Sequence, residues 1–317
     1  MQNRLKFEWE KVARFSPGDF PFAVLLVALA CSISANAQEL EPRTYNNTPI
    51  DINLFTVGYA YSSGNVLLDP ALPIEDLDGK LNIMLAGYGR TFGLLGKNAK
   101  FKAFVPYAFG DWKGEVDEVP EQRDARGFGD IRLKLEWNFL GAPAFSAEEF
   151  RSWQQKTVVG GSVLLVTPTS AYDSDELLNL GSNRWSVRPE IGVSQGFGKW
   201  TLELLANVWL FGDNDDFLDG LTLEQEPLYV AKGHVIYTFR PGLWLGLGIG
   251  YGRGGQTKVE GVARATEQEN FRYALHAAYP FNKQHGISAS YTSAKNSGAG
   301  TEFDAFSVRY QYAWGGL

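Results

Sequence analysis

From Ile131 to Phe139 every second residue is apolar: Ile131, Leu133, Leu135, Trp137 and Phe139 stand against Arg132, Lys134, Glu136 and Asn138. A period of two sends alternate side chains to opposite faces of an extended strand, whereas an amphipathic helix repeats its apolar positions every three or four residues. The same alternation returns near the C-terminus, where Phe306, Val308, Tyr310, Tyr312 and Trp314 oppose Ser307, Arg309, Gln311 and Ala313. At 242–253, Leu243, Leu245, Leu247, Ile249 and Tyr251 oppose Trp244, Gly246, Gly248 and Gly250. Twelve segments bounded by turn residues are predicted as strands: 52–63, 80–92, 98–110, 127–140, 156–168, 184–197, 199–211, 226–240, 242–253, 269–281, 284–294 and 302–314. The 35 glycines, 14% aromatic residues and only 2 methionines agree with strands and tight turns.

A strand that is apolar on one face and polar on the other suits either a soluble sheet over a core or a membrane barrel with lipid outside. Connection lengths decide between them. "GLLGKN", "GFGKW", "FRPGLW" and "FNKQH" are short, while the intervening connections, from "SGNVLLDPALPIEDLDGK" to "KNSGAGTE", are longer and polar. Short turns on one rim and long loops on the other are the outer-membrane pattern, short turns facing the periplasm. The predicted fold is therefore all-β: a closed up-and-down antiparallel transmembrane barrel of about 12 strands. The misfit is 141–155, a long stretch on the short-turn rim; Ser146 followed by Glu148 and Glu149 predicts a short periplasmic helix near 146–154. Tyr59, Tyr61, Trp112, Trp185, Trp200, Trp244, Tyr279 and Trp314 fall at strand ends and are expected to form the aromatic girdles. Strand propensity alone is the bland alternative for these residues.

The N-terminus reads as an export signal. Lys6, Lys11 and Arg14 lead an apolar run from Phe22 to Ile33, and "SANAQ" places Ala35 and Ala37 at the two small positions of a cleavage site. That run is shorter than the ~20 residues a spanning helix requires. The domains expected are a cleaved signal (1–37), a short tail (38–51) that at most dips into the lumen, and the barrel (52–317). Cys31, the lone cysteine, would leave with the signal, so no disulfide framework and no cysteine-based metal site is expected.

Four segments carry a resemblance to a known family: "LPIEDLDGKLNIMLAGYGRTFGL" (72–94), "GFGDIRLKLEWNFLGAPAFS" (127–146), "NLGSNRWSVRPEIGVSQ" (179–195) and "GHVIYTFRPGLW" (233–244). In their combination they resemble the outer-membrane transporter-like proteins labelled as the MetA pathway of phenol degradation. The resemblance implies a Gram-negative outer-membrane channel for passive, porin-like uptake of small organic solutes, aromatic compounds among them, and no enzyme. The chain departs from the usual barrel terminus, since "GGL" follows Trp314; either Trp314 or Leu317 would be presented to the barrel-assembly machinery.

The face opposite the apolar stripe gathers the lumen-lining candidates: Arg90, Lys102, Arg132, Lys134, Glu136, Arg188, Glu190, Glu203, Lys232, His234, Arg272, His276 and Arg309. The cations outnumber the carboxylates. Such a ladder either biases permeation toward anionic solutes or closes into ion pairs that fill a narrow lumen. The long loops are acidic, at "IEDLD", "GEVDEVPEQRD" and "GDNDDFLDG". Asp213, Asp215 and Asp216 are the tightest cluster; they would hold a divalent cation bridging to lipopolysaccharide or stand as a solvated loop, and they lack the spacing of a calcium loop. No cofactor is expected, because the "GLGIGYGRGG" steps lie within a strand with no helix after them. A net charge of -7 with no basic cluster excludes nucleic acid as a partner. The partners expected are outer-membrane lipid, lipopolysaccharide and a small organic solute. The second functional reading is a barrel without transport, with a structural, adhesin or surface-binding role.

Overall fold

The computed structural model describes residues 40–65, 71–72, 74–116, 118–296 and 302–316; the expected signal lies outside them. In chain order the strands are β1 (Ile52–Gly64), β2 (Glu75–Leu94), β3 (Lys97–Val116), β4 (Val119–Phe128), β5 (Arg132–Leu140), β6 (Thr157–Val166), β7 (Ser186–Phe197), β8 (Trp200–Phe211), β9 (Asn214–Phe217), β10 (Leu221–Gln225), β11 (Leu228–Arg240), β12 (Leu243–Gly254), β13 (Thr257–Val259), β14 (Val262–Ala263), β15 (Gln268–Pro280), β16 (His285–Asn296) and β17 (Phe303–Gly315). One single-turn helix, α1 (Ala147–Phe150), lies between β5 and β6.

The large sheet closes on itself as a barrel of 12 antiparallel strands. β1 pairs with β2 on one side and with β17 on the other, in unbroken register from Ile52↔Gly315 to Gly64↔Phe303. Closure leaves no unpaired edge, which is the condition for crossing lipid with strands. The outward residues are apolar: Phe55, Val57, Val163, Ile191, Leu204, Leu247 and Leu275 are all exposed, Leu204 by 67%. A belt of that size would be a liability in water and is stable against acyl chains. The chain is thus an outer-membrane β-barrel.

One wall position is shared. β4 pairs with the outer part of β3, and β5 with its inner part, so the strand predicted at 127–140 is broken at Gly129–Ile131. The break faces Pro106, whose ring nitrogen cannot donate to the ladder, and Gly129 N donates instead to Pro106 O at 3.0 Å. Asp130 turns inward there and accepts from Thr169 N, Ser170 N and Ser182 N at 3.1, 3.0 and 3.0 Å, tying the β6–β7 connection across the mouth. β9, β10, β13 and β14 form a small sheet of their own above the wall. From it Phe217, Leu223 and Val259 pack on Leu178, Leu77, Leu81 and Trp112, so the long-loop end carries an apolar core.

On the opposite rim the turns are tight. Leu95 (φ 52°) and Gly96 (φ 73°) join β2 to β3 with both central residues left-handed, the geometry that matches hairpin twist. The helix begins where the capping signal predicts, with Ser146 Oγ accepting from Glu149 N and the Glu149 carboxylate accepting from Ser146 N at 2.8 Å. It ends after one turn, at Phe150, short of the expected 154.

Candidate functional site

The lumen is occupied by the chain's own tail. Leu40, Glu41, Arg43, Thr44, Tyr45, Asn46, Asn47 and Thr48 are all buried within the barrel. The expectation of a tail that only dips into the lumen is corrected: the segment is polar and carries no strand pattern, yet from Leu40 to Thr48 the wall engages it. Its backbone groups find partners on the wall, as buried amides and carbonyls must. Arg43 N donates to Glu203 Oε2 at 2.8 Å, Asn138 Nδ2 to Tyr45 O at 3.2 Å, Lys100 Nζ to Thr44 O at 2.8 Å and Asn98 Nδ2 to Thr48 O at 2.7 Å.

Glu41 completes a charged cluster. Its carboxylate lies 3.2 Å from Lys102 Nζ and 2.7 Å from Lys134 Nζ, while Glu136 lies 2.7 and 2.9 Å from the same two lysines and 3.6 Å from Lys100. A second cluster forms on Glu190, which accepts from Lys232 Nζ at 2.5 Å, Asn207 Nδ2 at 3.0 Å and Tyr45 OH at 3.2 Å. Charges taken out of water are tolerated only when paired and hydrogen-bonded in this way. Wall glycines make room for the tail. A methyl at Gly160 would lie 2.4 Å from Cδ1 of Tyr45, and one at Gly192 would lie 2.5 Å from its Cε2, so the ring is clasped between β6 and β7.

Of the lumen candidates, Lys102, Lys134, Glu136, Arg188, Glu190, Glu203, Lys232, His234, Arg272, His276 and Arg309 are buried on the inward face, and Arg132 is half-buried on that face. Arg188 lies over the Trp209 ring at 5.0 Å and Arg272 over Phe303 at 5.1 Å. Arg90 is corrected: it points outward, 3.6 Å from Asp51. On β2 the inward set is Leu81, Ile83 and Leu85, which join the apolar cores, so opposing the apolar stripe selects the wrong face.

Trp185, Trp200 and Tyr279 are exposed on the outer face near strand ends, Tyr59 is exposed on that face but midway along β1, and Tyr61 and Trp314 are half-buried on it. Trp112 and Trp244 differ from the girdle expectation. They are 1% and 2% exposed and point into the barrel. β3 runs on to Val116, so Trp112 shares the parity of Phe104 and Ala108, and Trp244 shares that of the β12 glycines. Position along a strand does not make a girdle residue; parity does.

Sequence reasoning missed Glu41, Arg43, Tyr45 and Lys100. The signal for Glu41 was the cation excess itself, since a narrow lumen with more lysines than carboxylates must draw an anion from elsewhere. Asp213, Asp215 and Asp216 are exposed around buried Asn214, whose Oδ1 accepts from Asn183 Nδ2 at 2.9 Å. Among the described residues no three His, Cys, Asp or Glu side chains converge as a metal site.

Solved structures resemble this architecture. The COG4313 outer membrane channel from Pseudomonas putida F1 superposes with a TM-score of 0.73 at 22% identity, covering 87% of this chain and 100% of that one. The β domain of the Bordetella autotransporter BrkA gives 0.51 at 11% identity, covering 83% and 100%. Both establish the fold. No curated protein matches the sequence. The family described as "Putative MetA-pathway of phenol degradation" matches residues 52–310, from the start of β1 well into β17, and the chain belongs to that family.

Proposed function

We propose that this protein is a passive outer-membrane channel for small organic solutes, aromatic compounds among them, with no catalytic step. The observation that carries the reading is a closed barrel whose interior is polar and charged and which, among the described residues, is filled by a single segment of tail held by wall side chains. A lone segment of this kind can leave without unfolding anything else. The family's association with phenol degradation and the channel to which the fold is similar support the same reading.

Lysines paired to Glu41, Glu136 and Glu190 favour an interior rigidified by ion pairs over an open anion ladder. The tail is then a displaceable constriction, and residues 1–37 are the signal removed after Ala37. Lipid surrounds the apolar belt, the acidic loops face lipopolysaccharide, and the assembly machinery receives the C-terminal strand. Uptake of phenol into proteoliposomes, followed alongside planar-bilayer conductance of the purified protein, tests the reading. Uptake above that of protein-free vesicles is expected; rates equal to theirs would reject it in favour of a structural or surface-binding barrel.

A further inference from the structure

The inward face of β12 is a row of glycines above Trp244: Gly246, Gly248 and Gly250. Small residues alone mark nothing, but this row is flanked by two imidazoles. In register His234 on β11 stands beside Gly248 and His276 on β15 beside Gly246, so the two rings approach each other diagonally across β12, with centroids 6.4 Å apart and planes at 68°. A methyl at Gly248 would lie 3.3 Å from Nε2 of His234 and 3.6 Å from Nε2 of His276, so both nitrogens are directed to the space that the missing side chain leaves. The two residues are 2% and 3% exposed, and neither Nε2 has a hydrogen-bond partner among the described residues. Leaving such groups unmatched is costly.

The tail straddles this point. Leu40 Cδ2 would lie 2.9 Å from a methyl at Gly250, and the Arg43 guanidinium lies 5.5 Å from the Trp244 ring centre, so tail residues sit on either side of Gly248 along β12. Glu203 connects the tail to the pair. Its Oε2 accepts from Arg43 N at 2.8 Å and stands 3.5 Å from His234 Nδ1. When the tail withdraws, that carboxylate loses a donor and is positioned to accept a hydrogen bond from Nδ1–H of His234. A neutral imidazole whose Nδ1–H is held in this way offers a lone pair at Nε2.

We propose that His234 and His276 form a binding station for the hydroxyl group of a small phenolic solute, covered by the tail at rest. The hydroxyl donates to Nε2 of His234 and accepts from Nε2–H of His276, which a methylated ring cannot do and which a carboxylate, having no proton to give, does only in part. The choice of a phenolic ring rests on the channel reading above; the paired imidazoles do not. Because the tail and the solute compete for one place, each weakens the other by the same factor.

The test uses the full chain with ¹⁵N-labelled histidine in detergent micelles, titrated with phenol, toluene, benzoate and Cu²⁺. The chain has three histidines, and half-buried His285 on the short-turn rim, away from the pair, serves as the internal control. Phenol is expected to move the Nε2 resonances of His234 and His276 and to leave His285 unchanged, with toluene silent. His276→Gln is expected to weaken phenol binding about tenfold, the loss of one hydrogen bond, with toluene binding unaltered. Glu41→Gln, which loosens the tail, is expected to tighten phenol binding. Equal shifts with toluene, shifts confined to His285, stronger shifts with benzoate, or a response to Cu²⁺ alone would each overturn the station. Proteoliposome uptake separates the two ideas: uptake with silent imidazoles overturns the station only, and imidazole shifts without uptake overturn the channel reading only.

Discussion

Glu41 lies between lysines from two different strands and is the tail's own carboxylate in that charged cluster. Removing one partner of a buried pair typically costs about 3–5 kcal/mol, because the charges left behind stay desolvated. In Glu41→Gln the remaining charge belongs to the wall and the loss falls on tail docking, so longer or more frequent open events in bilayer recordings are expected. Unchanged gating would mean that the tail does not limit the pore. Gly192→Ala acts on the same docking by volume alone: its methyl would meet Tyr45 Cε2 at 2.5 Å and Leu205 Cγ at 3.0 Å. It should open the pore as Glu41→Gln does while heat-modifiable migration of the barrel is retained, and a variant that gates like the wild type would show that Tyr45 is not clasped. These residues mark the limit of what sequence reading could reach. Lys134 and Glu136 were legible because a strand's parity assigns their face. Glu41 and Tyr45 have no period to read, since their positions are fixed by partners up to 145 residues away in sequence.

At the scale of elements, alternation predicted the wall strands well because each has lipid on one side and a polar lumen on the other. It failed where that contrast fails. β2 turns Leu81 and Ile83 inward to the apolar mouth, and β4 and β5 part at Asp130 because the carboxylate serves three loop amides instead of the ladder. Asp130→Ala leaves those amides to find water or remain unpaired, at about 1–3 kcal/mol for a buried group. The 167–185 connection is expected to become the first site of limited proteolysis, with the barrel core still resistant; unaltered cleavage kinetics would argue that Asp130 does not hold it. In α1, hydrogen bonds from the Ser146 backbone and then its hydroxyl hold the Glu149 carboxyl below its ordinary value of 4.5. A carboxylate with a depressed folded pKa contributes stability above its unfolded value and loses it as pH falls through the folded one. Amide protection of α1 should therefore be present above pH 4.5 and decline on acidification below it. The decline should vanish in Glu149→Gln, which has no carboxyl to titrate, and only weaken in Ser146→Ala, which keeps the backbone donor; a pH-independent exchange rate in the wild type would contradict the capping box.

For the whole molecule, the near-neutral mean hydropathy of -0.19 hides two averaged surfaces, a lipid-facing belt and a charged interior. The protein should fractionate with outer membranes and migrate faster unheated than boiled, as closed barrels do; a detergent-free monomer would exclude the architecture. The seam and the tail meet at one residue. Asp51, at φ 62°, takes the chain from the tail into β1, and its carbonyl accepts from Gly316 N at 2.9 Å, just beyond β17. Closure therefore requires the last strand to be synthesised, whereas the tail is synthesised ahead of every strand. The segment made first has no lumen to enter until the C-terminal strand is in place. Filling of the pore is thus tied to completion of the wall, and a chain truncated before β17 has neither a closed seam nor a seat for its own N-terminus.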